Sequence, residues 1–204
     1  MTSRGNENKS QLNNANVKAF LDLIARSEGT YNIGNNGYNL FFGFGQFTDY
    51  SKHPNIAHSG GGYSSTAAGR YQFLYKTWKG VAASNGLPDF TPASQDIGAV
   101  ELLRQRGALN YILNGDIETA IKKAAKEWAS FPGAGYGQPT RTMSTLLNWF
   151  AGDVEQYGGK KKVVSTGTAN QGTQSAGLFT AGIPPIGIIL LIGAAIGLIY
   201  YNYK

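Results

Sequence analysis

Cysteine is absent from this 204-residue chain, and histidine occurs only twice, at His53 and His58. A disulfide framework, a thiol nucleophile and a Cys-ligated zinc site are thereby excluded. The two histidines stand five apart in a loop with no acidic ligand pair, so no metal site is expected. Charge is also scarce: 15% of residues are Asp, Glu, Lys or Arg, against about 25% in typical soluble proteins. No P-loop, no GxSxG elbow and no HExxH pattern occurs, which removes the commonest nucleotide, serine-hydrolase and zinc-peptidase chemistries. No cofactor is expected.

The formal net charge of +6 is unevenly placed. Lys160, Lys161, Lys162 and Lys204 lie beyond Tyr157, whereas all 12 acidic residues precede it. Residues 1–157 are therefore nearly balanced, and no basic face suited to nucleic acid is expected.

Composition divides the chain into four parts. Residues 1–14 are polar, lack the apolar stretch of a secretory signal peptide and read as a flexible arm. Residues 15–156 carry helical periodicity and form the expected domain. Residues 157–182 are a Gly/Ser/Thr/Gln-rich linker. Residues 183–201 contain no charged side chain and fall within the roughly 17–25 residues that cross a bilayer as a helix. Tyr200, Tyr201 and Tyr203 match an interfacial aromatic belt, with Lys204 reaching the headgroups. Gly193 and Gly197 make a small-xxx-small pair through which two such tails could pack, a weak indication of self-association.

Within the domain, Val17, Phe20, Leu21 and Ile24 recur at helical spacing after an N-cap at Asn14 or Asn16, and Gly29 supplies the stop. Glu28 thus lies at the helix end. Residues 29–65, rich in Gly, Asn, Tyr, Phe and Ser, suit short strands and loops. Helices are expected over 66–79, over 92–106 with Thr91 as cap and Pro92 in first position, and over 116–129. A glycine turn at 133–137 and a closing helix at 140–150 follow. Helices flanking one irregular, strand-bearing segment define an α+β domain.

A glutamate at a helix end, beside a loop of Gly and Tyr, can line a cleft. Partial desolvation there raises a carboxyl pKa toward neutrality, as a general acid requires. An isolated surface glutamate would fit the same pattern, so position alone does not decide. The surrounding stretches do more: KAFLDLIARSEGT (18–30), GYNL (37–40), FTDYSKHP (47–54), STAAGRYQF (65–73), DFTPASQD (89–96), RGAL (106–109), GDIETAI (115–121) and EWASFPGAGYGQ (127–138). Read together and in this order, they resemble the phage lambda endolysin family, the lambda-type lytic transglycosylases of the lysozyme-like superfamily.

The resemblance implies a lysozyme-like, mainly helical domain with a small β-region bounding a saccharide cleft. It implies Glu28, in SEGT, as the catalytic acid. The implied reaction cleaves the β-1,4 bond between N-acetylmuramic acid and N-acetylglucosamine in peptidoglycan, leaving a 1,6-anhydromuramoyl end. Tyr71 and Gln72 of GRYQF, with Tyr136 and Gln138 of GYGQ, are the implied substrate-binding residues, although core packing competes for both tyrosines. Asp49 is the candidate second acid, and a backbone-capping role competes with that. Arg70 either binds substrate or, as the preferred reading, pairs internally with Asp96, while the Ser94–Asp96 turn is expected to be structural and Trp128 to be core. Asn39 departs from the family's GYD pattern, and the missing carboxylate weakens a two-carboxylate mechanism more than a single-glutamate one.

The resemblance stops before the linker and apolar tail. Together they suggest a wall-cleaving enzyme anchored in a virion membrane and used at entry, or held at the host inner membrane for lysis. The competing readings are a hydrolytic muramidase, a non-catalytic peptidoglycan-binding virion protein, and a membrane-disrupting tail carrying a wall-binding domain.

Overall fold

The computed structural model describes residues 1–60, 63–135 and 140–159. The tail at 183–201, with Gly193 and Gly197, most of the linker, and both Tyr136 and Gln138 lie outside the described residues. Among those described, no helix is long and apolar enough to cross a membrane.

The central element is α2 (Ala15–Glu28). Asn14 caps it, its Oδ1 accepting from the backbone N–H groups of Asn16 (2.9 Å) and Val17 (3.3 Å). Gly29, at φ 74°, closes it by donating to the carbonyls of Ala25 and Arg26. The expected apolar face is buried, and so are Ala19, Leu23 and Ala25 on other faces. A helix buried on nearly every side sits inside its domain. Around it pack α4 (Pro92–Gln105), α5 (Leu109–Leu113) and α7 (Met143–Gln156). The periphery is completed by α3 (Tyr75–Asn85) and α6 (Ile117–Ala124).

Thr91, Asp116 and Thr142 cap α4, α6 and α7 through side-chain oxygens, as cap residues do. The β-region is an antiparallel pair, β1 (His58–Gly60) and β2 (Tyr63–Ser65), with isolated bridges joining Leu40 to Gln46 and Ala68 to both Phe41 and Phe73. The domain is thus mainly helical with a small β-region, as expected.

Several boundaries depart from expectation. Residues 1–14 do not form a flexible arm: α1 (Ser3–Gln11) packs against α3 and α4. Its docking is polar. Asn8, fully buried, donates to Asn85 Oδ1 (2.8 Å) and Glu101 Oε2 (2.6 Å) and accepts from Arg104 Nε (2.9 Å). Apolar periodicity therefore gave no sign of it.

Residues 66–74 are not helical. Gly69 adopts φ +78°, and a Cβ there would lie 2.2 Å from Gln95 Oε1. Gln72 also has a positive φ of 50°, so the segment turns twice where a helix would run on. The helix expected over 116–129 ends at Ala124, and Trp128 lies beyond it, buried, with Nε1 donating to Tyr71 O at 3.2 Å. The final helix starts at Met143 and continues past Phe150 to Gln156.

Candidate active site

Glu28 is the last residue of α2 and is 1% exposed. Two contacts fix the chain beyond it. Gly29 reverses the backbone, and Thr30 Oγ1 donates to the carbonyl of Arg70 at 2.6 Å, tying the helix end to the β-region. One carboxyl oxygen of Glu28, Oε1, accepts from Ser130 Oγ at 2.7 Å, and Ser130 Oγ in turn accepts from Ser27 Oγ at 2.7 Å. The other oxygen, Oε2, is buried with no hydrogen-bond partner among the described residues.

Electrostatics follow from that burial. Desolvation pushes the Glu28 pKa up to about 8, opposed in smaller measure by the Ser130 hydrogen bond and the positive charge of Arg141. Removing a carboxylate from water disfavours its charged form, and a single hydrogen bond and a nearby cation recover only part of that. Burial therefore favours the neutral form of the Glu28 carboxyl group. Arg141 stands in the segment before α7. Its backbone N–H donates to Ser130 O at 2.9 Å, and its guanidinium lies 5.7 Å from the Trp149 ring centroid.

The other sequence candidates separate. Asp49 is exposed, and hydrogen bonds from the Ser51 side chain and from its backbone N–H (2.7 Å to Oδ1) hold its carboxyl below the usual range. It is the backbone cap of its own turn. Tyr71 is buried, 2% exposed, and its hydroxyl donates to Asp96 Oδ1 at 2.6 Å. Gln72 is buried as well, with Nε2 donating to Gly69 O at 2.9 Å across the turn.

Arg70 is internal, as expected, but its partner differs. It pairs with Asp22 of α2, while Asp96 accepts from the hydroxyls of Tyr38 and Tyr71. Gln95 is structural, accepting from Arg70 N and donating to the carbonyls of Tyr38 and Phe90. His53 is buried, with one ring nitrogen 2.8 Å from Phe73 O and the other accepting from Asn55 N. Among the described residues no three His, Cys, Asp or Glu side chains are grouped as metal ligands.

Sequence reasoning missed Ser130, Ser27 and Arg141. Ser27 is part of SEGT, and Ser130 sits in the stretch at 127–138, where a lone serine carries no pattern of its own. Arg141 follows the last matched stretch, and no local pattern marks it.

A central helix ending in a buried glutamate, next to a small β-region, is the arrangement of a lysozyme-type glycosidase. Comparison with known proteins agrees. The Endolysin family profile matches residues 18–160. The endolysin of Escherichia phage lambda is 45% identical over 138 residues, covering 65% of this chain and 87% of that protein. The endolysin of Escherichia phage P2 is 46% identical over 147 residues, covering 65% and 88%. Among solved structures, bacteriophage lambda lysozyme complexed with a chitohexasaccharide superposes with a TM-score of 0.67 at 42% identity, over 73% of this chain and 97% of that one. A second structure of lambda lysozyme gives 0.63 at 39% identity, with the same coverage. The chain belongs to the endolysin family.

Proposed function

We propose that this endolysin is a peptidoglycan lytic transglycosylase in which Glu28 is the only catalytic carboxyl group. The observation that carries the reading is the isolation of Glu28. The chain has 12 acidic residues, and the Glu28 carboxyl group is hydrogen-bonded to the Ser130 hydroxyl and not to another acid. Asp22, Asp153 and Glu127 pair with Arg70, Arg26 and Arg106. Asp96 accepts from two tyrosines, and Glu101 from Asn8. Asp49, Asp89 and Asp116 accept from backbone N–H groups in turns and caps.

A hydrolase of the usual kind places a second carboxyl group about 5–9.5 Å from the first. A transglycosylase needs only one, because the muramoyl C6 hydroxyl is the nucleophile. Glu28 donates its proton to the glycosidic oxygen as the bond from that oxygen to C1 breaks. The C6 oxygen then bonds to C1, and its proton passes to the Glu28 carboxylate, which restores the acid. Intramolecular attack supplies the proximity advantage that an external water lacks. Arg141 stabilises the carboxylate that exists between the two proton transfers.

The tail belongs to the same proposal. Residues 183–201 act as a membrane anchor, and the enzyme is carried in a virion membrane for entry or held at the host inner membrane for lysis. The uncharged span and its terminal tyrosines support this.

The test is mass spectrometry of muropeptides released from purified peptidoglycan by the full chain, alongside Glu28→Gln. The expected result is 1,6-anhydromuramoyl ends from the wild type and none from the variant. Reducing muramic ends would move the assignment to a hydrolytic muramidase. Binding to the wall with no release would make the chain a wall-binding virion protein.

A further inference from the structure

Ser27, Glu28 and Ser130 form a buried relay that the acid's role alone does not require. Ser27 is fully buried, Ser130 is 4% exposed and Glu28 is 1% exposed. The relay has a direction: the Ser27 hydroxyl donates to Ser130, whose own hydroxyl then donates to Glu28 Oε1, both at 2.7 Å. Ser130 is itself clamped, since its carbonyl accepts from Arg141 N at 2.9 Å. The second carboxyl oxygen has no partner among the described residues.

In a neutral carboxyl group one oxygen carries the proton and the other only accepts. A donor fixed on Oε1 makes Oε1 the accepting oxygen and leaves the proton on Oε2. We propose that Ser130, oriented by Ser27, is a positioning residue that holds the transferable proton of Glu28 on Oε2. The relay also stabilises the carboxylate as that proton leaves.

The second effect is differential. A hydrogen bond to a carboxylate is shorter and roughly twice as strong as one to a neutral carboxyl group. The Ser130 bond therefore strengthens as Glu28 gives up its proton, which is when stabilisation accelerates the reaction. Ser27 adds to this by polarising the Ser130 hydroxyl in a dry environment. The charged group bearing on Glu28 is Arg141, from the segment before α7. It also favours the carboxylate, so the relay and the guanidinium act in the same sense.

The inference rests on Glu28 being the acid, and the experiment separates the two. Rates on soluble glycan strands are followed across pH for wild type, Ser130→Ala, Ser130→Thr, Ser27→Ala and Glu28→Gln. Loss of a hydrogen bond to the charged form raises the acid's pKa. The alkaline limb of the kcat profile for Ser130→Ala is expected to move up by about one pH unit. Its kcat at neutral pH is expected to fall about tenfold with KM within about twofold, because the bond lost is strongest away from the ground state. Ser130→Thr, which keeps the hydroxyl, restores the limb, and Ser27→Ala moves it in the same direction by less.

An unmoved limb in a folded Ser130→Ala, or a change in KM with kcat intact, overturns the proposal. Should Ser130→Ala fail to fold, Ser27→Ala reads the same limb through the relay, and an unmoved limb there overturns it equally. If Glu28→Gln is inactive while neither serine variant shifts the profile, the acid stands and only the relay falls. If Glu28→Gln keeps full activity, both fall.

Discussion

Arg70, on the turn leading out of the β-region, pairs with Asp22 in the middle of α2, and the pair is almost wholly enclosed: the side chains are 2% and 10% exposed. Arg70 also donates to Asn36 O at 2.6 Å, and Asp22 accepts at its other oxygen from Tyr157 at the end of α7 (2.6 Å). One ion pair thus joins the central helix, the β-region and the last helix. Removing one member of a buried pair leaves an uncompensated charge. Arg70→Ala is expected to destabilise the domain by about 3–5 kcal/mol in chemical denaturation. Arg70→Lys does not rescue it, because an ammonium cannot reach Asp22 and the Asn36 carbonyl with one rigid fork. The joint replacement Arg70→Met with Asp22→Leu loses less than Arg70→Ala.

Replacing Glu28 separates activity from stability. Glu28→Gln is expected to lower glycan cleavage by at least about 10²–10⁴-fold, the usual contribution of a general acid. The same change does not destabilise the fold at neutral pH, since Ser130 can donate to the amide oxygen as it does to Oε1.

The pH dependence of stability has a definite sign. The folded-state pKa of Glu28 is raised, from 4.5 to about 8, so between these values the folded protein binds more protons than the unfolded chain. The contribution to stability is therefore full below pH 4.5 and is lost as pH rises through about 8. Thermal unfolding followed from pH 4.5 to 8.5 is expected to show this loss in the wild type and not in Glu28→Gln, with other groups contributing equally to both.

The N-terminal helix is structural. Deleting residues 1–12 removes Asn8 from Glu101 and Asn85 and leaves two buried polar side chains without that partner. A loss of about 2 kcal/mol is expected, seen as a fall of ~4–8 °C in Tm by calorimetry. A terminus that made no ordered contacts would leave Tm unchanged.

The proposed anchoring role belongs to residues 183–201 alone. The full chain is expected to float with vesicles of phosphatidylethanolamine and phosphatidylglycerol, and residues 1–159 to remain at the bottom of the gradient. Flotation of both, or of neither, removes the anchoring role from residues 183–201.

Much of this arrangement is legible in the chain because its determinants are local. Asn14, the Val17–Ile24 spacing and Gly29 define α2 and put Glu28 at its end before any tertiary contact is known. Thr91 with Pro92, and Asp116, mark α4 and α6 in the same way. Other features depend on partners far away in sequence. The polar face of α1 reads as solvated until Asn85, Glu101 and Arg104 come into place. The turn at Gly69 is set by Gln95, whose side chain occupies the space a Cβ would need. Ser130 and Arg141 reach Glu28 from more than a hundred residues away. A motif can name Tyr71 and Gln72, but only the packing shows that they face inward. The place of Glu28 at the end of α2 is readable in the sequence, while its hydrogen bond with Ser130 and the charge of Arg141 beside it are not.

The most direct measurement is a 13C NMR titration of the Glu28 carboxyl carbon in the folded protein, with Glu28→Gln to assign the resonance. Desolvation at the end of α2 predicts a midpoint near 8 and a neutral acid at pH 7. A midpoint in the ordinary glutamate range, near about 4.3, would mean that Glu28 is already ionised at pH 7, and would contradict its assignment as the proton donor.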